Sequence, residues 1–397
     1  MKDQRTDSIE VTDPSRRELL RLSLLTLGFA TTAVPGFPAA WFQEGETVIP
    51  FTDVPDTFAW RRPGAEPNPG QNVLAQDLRN LRSWKTPMDD HFTVLHYGVA
   101  TIDAAAYRLQ VAGLVERPLT LTLDELKRRP KVERTAVFEC GGNSVRRFHG
   151  MVGNATWAGA ELRSLVETAR PTAAAREVYF WGADRGKEKI RDGEYEQNFA
   201  RALPLSEALG ANAVLAYEVN GQPLPVAHGS PVRLLVPGYY GVCNVKFLER
   251  IELAADRLMT RFMARDYVTI MGREVNGRTE WIETSVTKMR VKSVTARVTR
   301  AGSRFKVFGA AWSDGTALKG VEVQVDGGAW QPATLERQNN PFAWTFWSYD
   351  MPALGAGEHT VVSRATDQRG RTQPDDLNMK KTIWENNELF PRKMLVS

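Results

Sequence analysis

The sequence predicts an α+β protein in which a mixed α+β domain is followed by an all-β sandwich domain. Three observations predict it. From Phe92 to about residue 284, short alternating strand patterns are interleaved with short helix signals. After about Ser285 the helix signals vanish, and short strands recur between tight turns. The chain has 397 residues, enough for two or three domains, and its 42% hydrophobic and 25% charged content is that of an ordinary globular protein. A formal net charge of +4 is small for this length and gives no reason to expect a nucleic-acid partner.

Residues 1–40 read as an export signal. Arg16 and Arg17 precede an apolar stretch from Leu19 to Val34, which Arg21 and Gly28 interrupt. The stretch falls short of the roughly 20 apolar residues that a membrane span needs. Adjacent arginines before such a region fit the bacterial twin-arginine signal, with small residues near Ala39 and Ala40 as a cleavage site. That route carries folded proteins, so the expectation is a periplasmic or otherwise exported protein that acquires a cofactor before export. Residues 41–90 are rich in Pro, Asn, Asp and Gly and read as an irregular arm.

Residues 91–284 form the mixed domain. Residues 106–111 alternate like a strand, and Thr122 with Glu125 makes a capping box for a helix that stops before Pro130. A second helix is expected over residues 160–167, ending before Pro171. Residues 214–219 followed by Asn220-Gly221 read as a strand and tight turn, and residues 231–236 and 245–253 as further strands. Residues 285–397 form the second domain. Strands over 305–312, 321–325 and 360–365, with a turn at Asp326-Gly327-Gly328, suggest a β-sandwich of immunoglobulin type. Trp312, Trp330, Trp344 and Trp347 are expected in its core or at its interface.

Cys140 and Cys243 are the only cysteines, and no CxxC or CxxCH motif occurs. A haem attached through such a motif is therefore not expected, and a metal would have to bring ligands of its own. Phe138-Glu139-Cys140-Gly141-Gly142-Asn143 is the most informative segment. A strand-like run ends in a cysteine, and the glycines let the backbone approach something closely. A thiolate is a soft ligand for a transition metal, and the neighbouring Arg146, Arg147 and His149 are expected to favour its charged form.

These residues carry a resemblance. Glu139-Cys140-Gly141-Gly142-Asn143 and the run from Gly153 through Trp157 and Gly159 to Leu162 resemble the cofactor signature of the sulfite oxidase family. The series continues in order through Asn220-Gly221-Gln222-Pro223-Leu224-Pro225, His228 to Arg233, Val236-Pro237-Gly238, residues 245–248 and Arg265-Asp266-Tyr267. The likeness implies a molybdenum–molybdopterin cofactor with Cys140 as the protein ligand to the metal. It implies that His228, Arg233 and Lys246 hold the pterin and its phosphate, with His96, Asp184, Asn244 and Val245 at further cofactor contacts. Tyr267 falls at the position of the family's active-site tyrosine, and the tail resembles the family's dimerisation domain, which implies a homodimer. Cys243 matches no family requirement and is expected to be structural.

One departure concerns the substrate. Many family members carry an arginine for the sulfite anion where this chain has Val94. Arg146 or Arg147 is the expected substitute source of that charge. The resemblance implies oxidation of sulfite, or a related small sulfur oxyanion, with electrons passed to a separate acceptor such as a c-type cytochrome. Two other readings stand beside it: a molybdenum oxidoreductase acting on another sulfur compound or S-oxide, and a non-enzymatic exported β-sandwich protein.

Overall fold

The structure is a computed structural model that describes residues 46–54, 58, 60, 73–337 and 339–397. All of these belong to one compact unit, residues 38–397. The twin-arginine segment, Arg16 and Arg17 included, lies outside the described residues.

The molecule is mostly β. Among the described residues the α-helices are short: Leu123–Lys127, Leu162–Ala169 and Leu205–Gly210. The helix content is thus smaller than the α+β reading of residues 91–284 expects. The first helix has the expected capping box, in which Glu125 N–H donates to Thr122 Oγ1 at 3.1 Å and Thr122 N–H to the Glu125 carboxylate at 2.8 Å. The second starts two residues later than expected, because Ala160 and Glu161 complete the strand Val152–Glu161. There Ala160 pairs with Lys131 and Leu215, a ladder that outweighs the local helix signal.

Two sheets carry the N-terminal portion. One contains, in order, Gln222–Pro223, Val214–Val219, Val152–Glu161 and Lys131–Glu139, with Arg233–Leu235 also paired to Val214–Val219. Its central strand Val152–Glu161 is buried along nearly its whole length. Small residues permit this: a Cβ on Gly159 would lie 2.0 Å from the Leu215 carbonyl oxygen. Asn220 (φ 50°) and Gly221 (φ 77°) close the expected tight turn, in the left-handed conformations that a type I′ turn requires. The second sheet runs Leu119–Thr122, Arg108–Gly113, Leu248–Ala254, Glu177–Ile190 and Gly193–Pro204. Its longest hairpin breaks register between Trp181 and Arg185, and Ala183 N–H donates to Phe247 O at 2.8 Å instead. This irregularity sets Asp184 beside the cavity described below.

The C-terminal portion is built on two facing sheets. One orders Thr47–Ile49, Lys292–Ala301, Arg304–Trp312, Thr345–Met351 and Thr334–Leu335; the other Gln331–Pro332, Leu318–Val325, Gly357–Asp367 and Arg392–Val396. Val298, Val307 and Trp347 from the first meet Val321, Val361 and Met394 from the second in one buried cluster. Thr47–Ile49, from the arm, closes the edge of the first sheet. A three-stranded sheet, Arg278–Ser285, Val268–Val275 and Lys380–Lys381, lies beside these.

Buried polar contacts join the two portions. Lys292 and Glu139 are fully buried and paired. Trp312 Nε1–H donates to the other Glu139 oxygen at 2.8 Å, and Trp344 Nε1–H donates to Trp84 O at 2.9 Å. Removing one member of such a pair strands a charge. Lys292→Met is expected to cost about 3–5 kcal/mol in denaturant unfolding, and adding Glu139→Gln to recover part of it. Equal midpoints for wild type and Lys292→Met would contradict this account of the interface.

Candidate cofactor site

Cys140 stands immediately after the strand Lys131–Glu139, and its N–H donates to Met151 O at 2.9 Å. The loop from Cys140 to Met151 is closed by Asn143. Its Nδ2 donates to Glu139 Oε1 and to His149 O, each at 3.0 Å, while its Oδ1 accepts from Met151 N–H at 3.0 Å. Asn143 is thus the staple of the loop, and close approach is left to the glycines. The Tyr267 ring comes within 3.2 Å of where a Gly141 Cβ would stand.

Cys140 lines a partly enclosed cavity. Of the residues singled out in the sequence, His96, Asp184, His228, Arg233, Asn244, Lys246 and Tyr267 line it too. Val245 does not. Asn244 and Lys246 face the cavity, so the residue between them turns into the core, where Val245 is fully buried and its carbonyl accepts from Leu234 N–H. Asn244 also ties the loop beneath it: its Oδ1 accepts from Val236 N–H at 2.6 Å, and its Nδ2 donates to Tyr240 O at 2.9 Å.

Two buried cations dominate the electrostatics. Arg233 lies between the rings of Phe138 and Trp157, 4.7 and 4.8 Å from their centroids, and donates to the His228 and Asn244 carbonyls at 3.0 Å. Lys246 Nζ donates to Val94 O at 2.9 Å and Ala227 O at 2.7 Å. Among the described residues neither has a carboxylate within 4.0 Å. Burial pushes Arg233 down to about 9; burial and then Arg233 push Lys246 down to about 7. Asp184 Oδ1 is buried with no hydrogen-bond partner among the described residues, and burial raises its carboxyl to about 6. His96 lies against Phe199 and Phe262, and its Nε2 is 2.8 Å from the Tyr267 hydroxyl. Burial, with Lys246, Arg261 and Arg201, lowers it to about 3, so it is neutral at physiological pH.

Three expectations are corrected. Burial raises the Cys140 thiol to about 11, outweighing Lys246 and Arg147; the nearby charges do not activate it in the cofactor-free chain. His149 cannot help, because burial beside Lys292 and Arg392 keeps it neutral. Arg146 and Arg147 sit exposed on the turn Val145–Arg147 and do not line the cavity, whereas Val94 does. Cys243 is buried, with its sulfur 3.5 Å from Arg201 Nη2 and 3.5 Å from Val286 O.

The sequence reading missed Arg201, Lys292 and Trp384. Fully buried Arg201 donates to Val286 O at 2.5 Å and to Phe262 O. No local motif marks these three; tertiary packing alone brings them to the site.

The donor set suits a phosphorylated pterin that carries a thiophilic metal. Buried cations would meet its phosphate, the Asp184 oxygen would meet ring N–H donors, and one thiol would meet the metal. Among the described residues no group of three or more His, Cys, Asp and Glu is placed to hold a metal ion, so a metal at Cys140 would need ligands of its own.

Comparison with known proteins agrees. Residues 96–262 match the oxidoreductase molybdopterin binding domain, and residues 282–392 the Mo-co oxidoreductase dimerisation domain. Sulfite oxidase of Gallus gallus is 31% identical over 82% of this chain and 77% of its own length. The chain belongs to the sulfite oxidase family of molybdopterin oxidoreductases. Mitochondrial sulfite oxidase of Homo sapiens is 31% identical over 84% of this chain; this family member spans 65% of that relative's length. The crystal structure of the sulfane dehydrogenase SoxCD from Paracoccus pantotrophus superposes with a TM-score of 0.71 at 25% identity, covering 85% of this chain and 91% of that one.

In the cofactor-free chain, Lys246 titrates at about 7 when folded, against 10.5 as the ordinary value. Between these values the unfolded state holds more protons, so folded stability rises with pH. Above the ordinary thiol value of 9, Cys140 opposes the trend, because its folded form keeps its proton longer. The thermal midpoint is therefore expected to climb between about pH 7 and 9 in wild type. It should climb less in Lys246→Met, and an equal slope in both proteins would refute the assignment.

Proposed function

We propose that the chain is a molybdenum-cofactor-dependent oxidoreductase that oxidises a sulfur compound, with sulfite as the first candidate. Electrons would pass to an external carrier such as a c-type cytochrome. The observation that carries the reading is a single cavity lined by one cysteine thiol, by two buried cations with no carboxylate within 4.0 Å among the described residues, and by a carboxylate oxygen with no hydrogen-bond partner among them. Sulfur chemistry is suggested by the sulfite oxidases and the sulfane dehydrogenase among the similar proteins.

When bound, the cofactor supplies two-electron oxygen-atom chemistry at the molybdenum. Cys140 gives the metal its protein donor and loses its proton in doing so, since burial keeps the free thiol protonated. Arg233 and Lys246 hold the phosphate, which restores their full charge by replacing the water that burial removed. Asp184 accepts from pterin N–H groups. With its proton on Nε2, neutral His96 donates to the Tyr267 oxygen and leaves the Tyr267 O–H to donate into the cavity. Phe92, Val94, Phe138, Phe199 and Phe247 keep the walls apolar, which strengthens every polar contact inside.

Further parts of the reading concern context. The C-terminal two-sheet unit is taken as an immunoglobulin-type sandwich serving homodimerisation, as its family match suggests. Residues 1–40 are taken as a twin-arginine signal directing export to the periplasm.

A second reading rests on Val94. An apolar wall facing the cavity suits a less charged substrate, such as an organic sulfur compound or S-oxide, better than the sulfite anion.

The test pairs molybdenum content with sulfite-dependent reduction of cytochrome c. Metal near one equivalent with turnover, both lost in Cys140→Ser, is the expected result. Fully folded wild type devoid of molybdenum would overturn the reading in favour of a non-enzymatic protein. If sulfite is the substrate, Val94→Arg should lower its KM about tenfold, the scale of one added charge-assisted hydrogen bond. An unchanged KM would favour the second reading.

A further inference from the structure

Tyr267 is held in an unusual way. Its backbone is left-handed, with φ 57°, a conformation that costs a non-glycine residue about 1 kcal/mol or more and persists only where its surroundings enforce it. Its hydroxyl meets His96, and its carbonyl accepts from Val286 N–H at 2.8 Å. The face of its ring is taken by Trp384, with ring centroids 4.1 Å apart and planes at 26°.

Trp384 is itself fixed. Its N–H donates to Thr382 Oγ1 at 3.0 Å. The next residue, Glu385, donates its N–H to the Gly141 carbonyl at 2.8 Å, beside Cys140. The buried Glu385 carboxylate accepts from Thr269 Oγ1 at 2.8 Å and Arg290 Nη2 at 3.2 Å, while Lys380 Nζ donates to the Glu385 carbonyl at 2.6 Å. Gly142 completes the fit, because a Cβ there would stand 3.1 Å from the indole. One short segment of the C-terminal portion therefore touches the backbone beside Cys140 and the ring of Tyr267 together.

We propose that Trp384 is a positioning residue that clamps the Tyr267 ring against the Cys140 loop and so sets the geometry of the candidate reaction centre. The inference rests on the reading that Cys140 carries the cofactor. Trp384 is not among the residues lining the cavity, so it acts through Tyr267 and the loop. Removing the indole lets Tyr267 relax from its strained conformation and opens a path to the sulfur. Phenylalanine retains a ring to stack and preserves most of the clamp.

Two readouts test it. The full-length chain produced without molybdenum cofactor is treated with iodoacetamide under native conditions, and labelling of Cys140 and Cys243 is followed separately by peptide mass spectrometry. Both thiols are buried, so Cys243 monitors global opening. Trp384→Ala should speed labelling of Cys140 about tenfold while leaving Cys243 near its wild-type rate, and Trp384→Phe should resemble wild type. No acceleration, or equal acceleration of both thiols, would overturn the proposal. In the metal-loaded enzyme, Trp384→Ala should lower kcat about tenfold at unchanged molybdenum content and little-changed KM, with Trp384→Phe restoring most of it. An unchanged kcat, or a loss matched by lost metal, counts against the clamp. Wild type without molybdenum defeats the cofactor reading instead, and the alkylation result still judges the clamp.

Discussion

The buried Glu139–Lys292 pair is the constraint around which the molecule is organised. Both side chains are wholly withdrawn from water, Glu139 at the end of the strand that leads into Cys140 and Lys292 at the start of the strand Lys292–Ala301. Coulomb attraction at such a site barely offsets desolvation, so the pair endures only with its geometry intact and its remaining lone pairs satisfied. Trp312 and Asn143 satisfy them. Asn143 in turn closes the loop that presents the thiol. A shift between the two portions would therefore uncover a charge directly behind Cys140. The position of the sulfur is thus a property of the whole fold, and Trp384 beside Gly142 and the Glu385 N–H on the Gly141 carbonyl hold the same loop.

The cavity follows a different logic. Among the described residues its buried cations have no carboxylate within 4.0 Å and its Asp184 oxygen has no donor, an arrangement that lowers the stability of the cofactor-free chain. Such groups are tolerated where a ligand completes them, so folding and cofactor binding reinforce each other. His96 shows the same field from another direction: burial and three neighbouring cations hold it neutral, which suits it to orient the Tyr267 hydroxyl rather than to carry charge.

What the sequence made legible was what depends on near neighbours. The Thr122–Glu125 capping box and the Asn220-Gly221 turn were readable because a few adjacent residues determine them. The cluster of cavity residues was readable through an ordered resemblance, and the structure brings all of them but Val245 onto one cavity. The failures are those of tertiary context. Residues 160 and 161 carry helix propensity yet complete a central strand, because Lys131 and the strand Val214–Val219 pair with them. The arginines beside Cys140 in sequence are exposed and do not line the cavity, and burial decides the state of the thiol. Lys292 and Trp384 lie far along the chain from Cys140, so only the folded backbone reveals that they support it.

The proposed chemistry requires the sulfur of Cys140 to bond molybdenum. Molybdenum K-edge X-ray absorption on the purified protein and on its Cys140→Ser variant tests it most directly by counting sulfur neighbours of the metal. One sulfur neighbour fewer is expected around whatever metal the variant retains. An equal sulfur count in the two proteins would contradict it.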